Sequence, residues 1–65
     1  MKEVSFIIKK DKNAEPHMRY ILCVMINGKC VEAPRYSELD DALCEVADYI
    51  EEFPHNDNFK IEIRL

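Results

Sequence analysis

Asn27-Gly28 constrains this chain more than any other pair of residues. Both tolerate positive φ, which a two-residue type I′ hairpin requires at its centre, and Gly28 is the only glycine among 65 residues. The flanking runs have strand composition. Arg19 to Ile26 is rich in β-branched and aromatic residues, and Lys29 to Ala33 forms the return strand. So tight a turn sets the register. The spacing predicts Ile26 opposite Lys29, Met25 opposite Cys30, Val24 opposite Val31, Cys23 opposite Glu32 and Leu22 opposite Ala33. Pro34 ends the return strand or places it at a sheet edge.

The other elements follow from periodicity. Val4 to Lys9 reads as a strand, with Val4, Phe6 and Ile8 on one face and Ser5, Ile7 and Lys9 on the other. Lys10 to Met18 is polar, contains Asn13 and Pro16, and reads as a loop. Ser37 opens a helix, with Asp40 three residues later where a capping box prefers Glu or Gln. Leu39, Ala42, Leu43, Val46, Ile50 and Phe53 form one helical stripe. Pro54 stops it, because the residue before proline disfavours the α region. His55 to Asn58 reads as a turn. Phe59 to Leu65 then alternates, with Phe59, Ile61, Ile63 and Leu65 inward and Lys60, Glu62 and Arg64 outward.

The predicted class is α+β in the order β-β-β-α-β. One amphipathic helix covers one face of a mostly antiparallel four-stranded sheet, and residues 1–65 make one domain. Arg19 to Ile26 is expected near the sheet centre and Phe59 to Leu65 near an edge. The expected core is Val4, Phe6, Ile8, Tyr20, Leu22, Val24, Ile26, Val31, Phe59, Ile61 and Ile63, packed under the helical stripe.

The opposite sheet face is less ordinary. An antiparallel face without a covering layer should read polar. Here it presents Ile7, Ile21, Cys23, Met25 and Cys30. A single helix covers one side only, so this cluster is expected to meet another chain, most simply a second copy in a homodimer. The competing expectation is that the loop of residues 10–18 folds over it, or that its residues stay singly exposed.

The helix is the most charged element. It holds Glu38, Asp40, Asp41, Glu45, Asp48, Glu51 and Glu52 and no Lys or Arg, which is −7 within a chain of net charge −4. The rest of the chain is therefore net positive. Helical spacing gathers Asp41, Glu45, Asp48 and Glu52 into a ridge away from the apolar stripe. Acids in the first turn suit the helix dipole. Glu51 and Glu52 sit at its unfavourable end, and no lysine four residues away relieves the repulsion. Such a ridge keeps a small protein in solution. It also suits recognition of a basic surface, such as that of a nucleic-acid-binding protein, with electrostatic steering.

Several classes are disfavoured. No apolar run approaches the ~20 residues of a membrane span; the longest, Tyr20 to Ile26, has seven. Met1, Lys2 and Glu3 are followed by no signal-peptide h-region, so the expected location is the cytoplasm. Cys23, Cys30 and Cys44 are odd in number and unpatterned, which argues for reduced thiols. Together with His17 and His55 they lack the paired spacing of a zinc site, and no metal or cofactor is expected. There is no phosphate-binding glycine loop, and the acids around Cys44 disfavour its thiolate, so no enzymatic activity is expected. Lys2, Lys9, Lys10, Lys12 and Arg19 gather near the first loop but are diluted by Glu3, Asp11 and Glu15. No aromatic residues interleave with them as stacking platforms. Direct nucleic-acid binding, as a weak module, is accordingly a minor expectation.

In outline, a hairpin leading into a Ser-capped acidic helix is similar to the small domain of HicB-type antitoxins. The similarity spans Tyr20 to Phe53 and is carried by Ser37-Glu38-Leu39-Asp40-Asp41-Ala42-Leu43. The Pro-Gly-rich segment that such domains usually place after the second strand is missing. The resemblance implies an antitoxin-type domain. The residues themselves imply a small non-enzymatic regulatory protein, inhibitor-like, that binds another protein through the acidic helix, the apolar sheet face, or both.

Overall fold

The computed structural model describes residues 3–52 and 59–65. Phe53 and the turn expected over residues 55–58 lie outside the described residues. The elements are β1 (Val4–Lys10), a short 3-10 turn (Pro16–Met18), β2 (Tyr20–Ile26), β3 (Lys29–Glu32), β4 (Arg35–Tyr36), α1 (Leu39–Glu52) and β5 (Phe59–Arg64). The fold is mixed α+β, with α1 packed on a mostly antiparallel sheet, as the hairpin and the two periodicities predict. The sheet has five strands rather than four. Its order is β3-β2-β1-β5, with the two-residue β4 continuing the β3 side of β2.

The hairpin turn forms where Asn27-Gly28 requires it, with φ of 51° and 81°. Asn27 also ties the turn to the start of β1. Its N–H donates to the Glu3 carbonyl at 2.8 Å, and its side-chain oxygen accepts the Glu3 N–H at 3.0 Å. β1 pairs antiparallel with β2, from Val4 opposite Ile26 to Lys10 opposite Tyr20. The return path through α1 brings β5 parallel to β1, with Val4 opposite Phe59, Phe6 opposite Ile61 and Ile8 opposite Ile63. β1 and β2 are therefore the interior strands, and β5 is an edge.

The hairpin register departs from expectation after two pairs. Ile26 faces Lys29 and Met25 faces Cys30, but Val24 faces Glu32. A β-bulge takes up Val31 as the extra residue. Beyond it the strand is one residue out of step. The Leu22 N–H donates to the Pro34 carbonyl at 2.9 Å, Ile21 faces Arg35 and Tyr20 faces Tyr36. A one-residue slip turns every following side chain to the other face. Glu32 and Tyr36 thus lie on the helix side, and Val31, expected in the core, is 52 % exposed.

The core is Val4, Phe6 and Ile8 of β1, Leu22 and Val24 of β2, and Ala42 and Val46 of α1. Ile26, Tyr36, Leu39, Tyr49, Ile50 and Phe59 pack around it, and Tyr20 is half-buried at the sheet end. Phe6 anchors the centre, its ring 6.0 Å from that of Tyr49 and 6.1 Å from that of Phe59.

Ile61 and Ile63 are corrections: they remain 49 % and 47 % exposed. They lie on the helix side, beside the buried Phe6 and Ile8, but the helix does not reach over them. A helix about 10 Å across covers two to three strands spaced about 4.8 Å apart. Here α1 lies against β2 and β4, which leaves β5 outside its shadow. Leu43, in the predicted stripe, is likewise 37 % exposed. The first α1 bond runs from the Ala42 N–H to the Glu38 carbonyl at 3.4 Å, so the helix starts just after Glu38, one residue beyond the Ser37 cap the sequence suggests.

Candidate protein-binding surfaces

The acidic ridge and the open sheet face occupy opposite sides of the sheet. On α1, Asp41, Asp48 and Glu52 are exposed and Glu45 is half-buried. None of the ion pairs among the described residues involves an acid of α1. The ridge is not confined to the helix. The charges of Glu45 on α1 and Glu32 on β3 both act on Tyr36 of β4. The Tyr36 phenol is held above its ordinary 10.0, first by burial and then by these two carboxylates. The Tyr49 hydroxyl donates a hydrogen bond to Glu32. That bond is the main reason the Tyr49 phenol is raised, followed by burial and by the nearby charges of Glu32, Tyr36 and Glu45.

Glu32, Tyr36 and Tyr49 thus extend the acidic surface from α1 onto the sheet margin. Hairpin spacing places Glu32 on the other face, opposite Cys23. Only the bulge at Val31 brings it to the helix side, and no residue in the sequence announces that bulge. Tyr49, on the flank of the stripe, has a readable position but not a readable partner.

On the other face, β1 and β2 bring Ile7, Ile21, Cys23 and Met25 together. Ile7 faces Cys23, and Met25 faces Cys30 across the hairpin. Cys30 is exposed, and the other four are half-buried. The half-burial has a local cause. Ile21 lies between Lys9 and Arg35, and Ile7 between Cys23 and Glu62. Long charged side chains lay their methylene stems along such apolar neighbours while their charged ends stay in water.

Arg35 is also a tether. Its guanidinium donates to the Met18 carbonyl at 3.2 Å and meets the Asp11 carboxylate at 3.4 Å. The loop after β1 is thereby pinned to β4 at one end of this face.

The pairing registers also align cations that are far apart in sequence. Arg64 lies beside Lys9, Lys9 beside Ile21, and Ile21 beside Arg35. The open face therefore carries a row of three cations with Ile21 among them, and Lys60 lies four residues back from Arg64 along β5. A shallow depression of about 410 Å³ over β1 and β5 is lined in part by Ser5, Ile7, Lys60 and Glu62. Arg35 is paired with Asp11 and Arg64 with Glu62, so charge on the open face is largely compensated, whereas none of the ion pairs among the described residues involves an acid of α1.

All three cysteines are free; Cys30 and Cys44 are exposed and Cys23 is half-buried. Among the described residues, no group of three or more His, Cys, Asp or Glu is placed to hold a metal ion. No helix there is long and apolar enough to cross a membrane. Known protein families, curated proteins and solved structures offer no match to this chain.

Proposed function

We propose that this chain is a small, non-enzymatic regulatory protein that binds another protein through its acidic flank, in the manner of an inhibitor. The observation that carries this reading is the uncompensated run of Asp41, Glu45, Asp48 and Glu52, continued onto the sheet by Glu32. Its carboxylates have no cationic partner among the ion pairs of the described residues. Helix stability does not require this pattern, since like charges four residues apart are mildly destabilising. A basic partner would relieve the repulsion. Complementary charge speeds encounter and makes it salt-dependent. A nucleic-acid-binding protein fits that description, the ridge taking the place of phosphates. Ile7, Ile21, Cys23 and Met25, with Lys9, Arg35 and Arg64 in a row across one end, offer a second and chemically different contact surface.

The test is titration of basic nucleic-acid-binding proteins recovered by pull-down from the native cell, at two ionic strengths. Glu45→Lys with Asp48→Lys is expected to weaken binding at least tenfold, and added salt to weaken it further. Affinity indifferent to both salt and charge reversal would reject the reading. An antitoxin-type domain is a second reading, favoured by the hairpin that leads into an acidic helix packed on the sheet and then a final strand, with the two-residue β4 added before the helix. It requires copurification with the product of a neighbouring toxin gene.

A further inference from the structure

The two edges of the sheet are built differently. One is blunted: β3 carries the bulge at Val31, and Pro34 separates it from β4. Bulges and prolines are two of the devices by which proteins stop a sheet edge from pairing with another chain, and charged side chains are a third. The other edge, β5, has neither bulge nor proline, and its three charged side chains differ in sign. It runs six residues without glycine, proline or bulge, in unbroken register with β1. No strand among the described residues pairs with its outer side. On its helix side it exposes Ile61 at 49 %, Ile63 at 47 % and, one residue beyond the strand, Leu65 at 62 %.

The charges on β5 specify the occupant. Lys60, Glu62 and Arg64 alternate in sign on the open-face side. Centring an antiparallel self-pairing on Glu62 would oppose Glu62 to its own copy and Lys60 to Arg64, which is repulsive. Centring it on Ile63 sets Glu62 against Arg64 of the second copy, and Arg64 against that copy's Glu62. Ile63 then meets its own copy, and each Ile61 meets the other chain's Leu65. Every exposed apolar side chain at this edge gains an apolar neighbour, Glu62 and Arg64 each gain an opposite charge, and Lys60 lies outside the paired stretch. Glu62 and Arg64 already touch within one strand at 2.7 Å, so the paired strands would form a four-membered cluster of alternating sign. Pairing centred on Ile61 is also charge-matched, through Lys60 and Glu62. It instead uses Phe59, which is already packed against the core, and leaves Leu65 uncovered.

We infer that two copies of this chain join through β5 in antiparallel register about Ile63, forming one continuous sheet. A two-fold axis perpendicular to the sheet keeps like faces together. Both α1 helices then lie on the same side, and the dimer presents two acidic flanks in one direction. If the proposed acidic recognition holds, the partner meets a bivalent surface. The dimer itself does not depend on that reading.

The experiment is sedimentation equilibrium of the full chain across a dilution series. The expected species is a dimer of the 7.7 kDa chain. Glu62→Arg is expected to raise the dimer dissociation constant about tenfold, because two attractive cross-strand pairs become repulsive. Far-UV circular dichroism confirms that the variant is folded. Glu62→Arg with Arg64→Glu restores the alternation and is expected to recover dimerisation, and Met25→Glu on the open face is expected to leave it unchanged. A monomer at every concentration overturns the inference, as does a dimer indifferent to Glu62→Arg. Rescue by Lys60→Glu in place of Arg64→Glu overturns the assigned register.

Discussion

The Tyr49 hydroxyl donates to the Glu32 carboxylate, joining the last turn of α1 to the end of β3. The same ring packs 6.0 Å from that of Phe6 in the core, so one side chain links the core to the acidic margin. Tyr49→Phe keeps the packing and deletes the bond. The expected cost is about 0.5–1 kcal/mol, at the low end because solvent competes for both partners. Chemical denaturation measures it.

The same bond gives a pH dependence of definite sign. The folded Tyr49 phenol is raised above its ordinary 10.0, so the folded state holds this proton longer than the unfolded chain. Its contribution is fully present below about pH 10 and is lost as the pH rises toward the folded value. Ultraviolet titration of the three tyrosines is expected to show Tyr36 and Tyr49 ionising late, Tyr49 last. Glu32→Gln should move the Tyr49 phenol back toward the ordinary range.

Burial separates a leucine and a valine that look alike in sequence. Leu22 is fully buried and Val31 is 52 % exposed. Leu22→Ala is expected to cost about 2–5 kcal/mol, enough to unfold much of the population of so small a domain. Val31→Ala is expected to stay within about 0.5 kcal/mol. Urea midpoints for the two variants test the bulge directly, because the unbulged register would bury Val31.

Gly28 has φ of 81°, and an added Cβ would meet no atom within 4 Å. Gly28→Ala therefore introduces backbone strain without a clash. A non-glycine residue in the left-handed region costs roughly 1–2 kcal/mol. Thermal denaturation should show that loss, with the fold otherwise unchanged.

Arg35 holds the loop after β1 through Asp11 and the Met18 carbonyl, and the Asp11 N–H donates to the Arg19 carbonyl at 2.7 Å. In Arg35→Ala the loop is expected to open more often, with faster hydrogen exchange at the Asp11 amide and little change at Phe6. Global stability is expected to fall by less than about 1 kcal/mol, as for other exposed ion pairs.

The sequence alone determined what depends on near neighbours along the chain. Asn27-Gly28 makes its turn because positive φ is a local property, and β1, β2, α1 and β5 arise from periodicities of two and 3.6 residues. The −7 of the helix segment and the apolar character of Ile7, Ile21, Cys23 and Met25 are likewise written residue by residue. The tertiary structure decided what depends on register and reach. A single bulged residue carries Glu32 and Tyr36 to the helix side and turns Val31 outward. Strand pairing sets Arg64, Lys9 and Arg35 in one row, though they are distant in sequence. The finite width of one helix leaves Ile61 and Ile63 uncovered, because alternation marks the face a residue belongs to, while only packing determines whether anything stands over it.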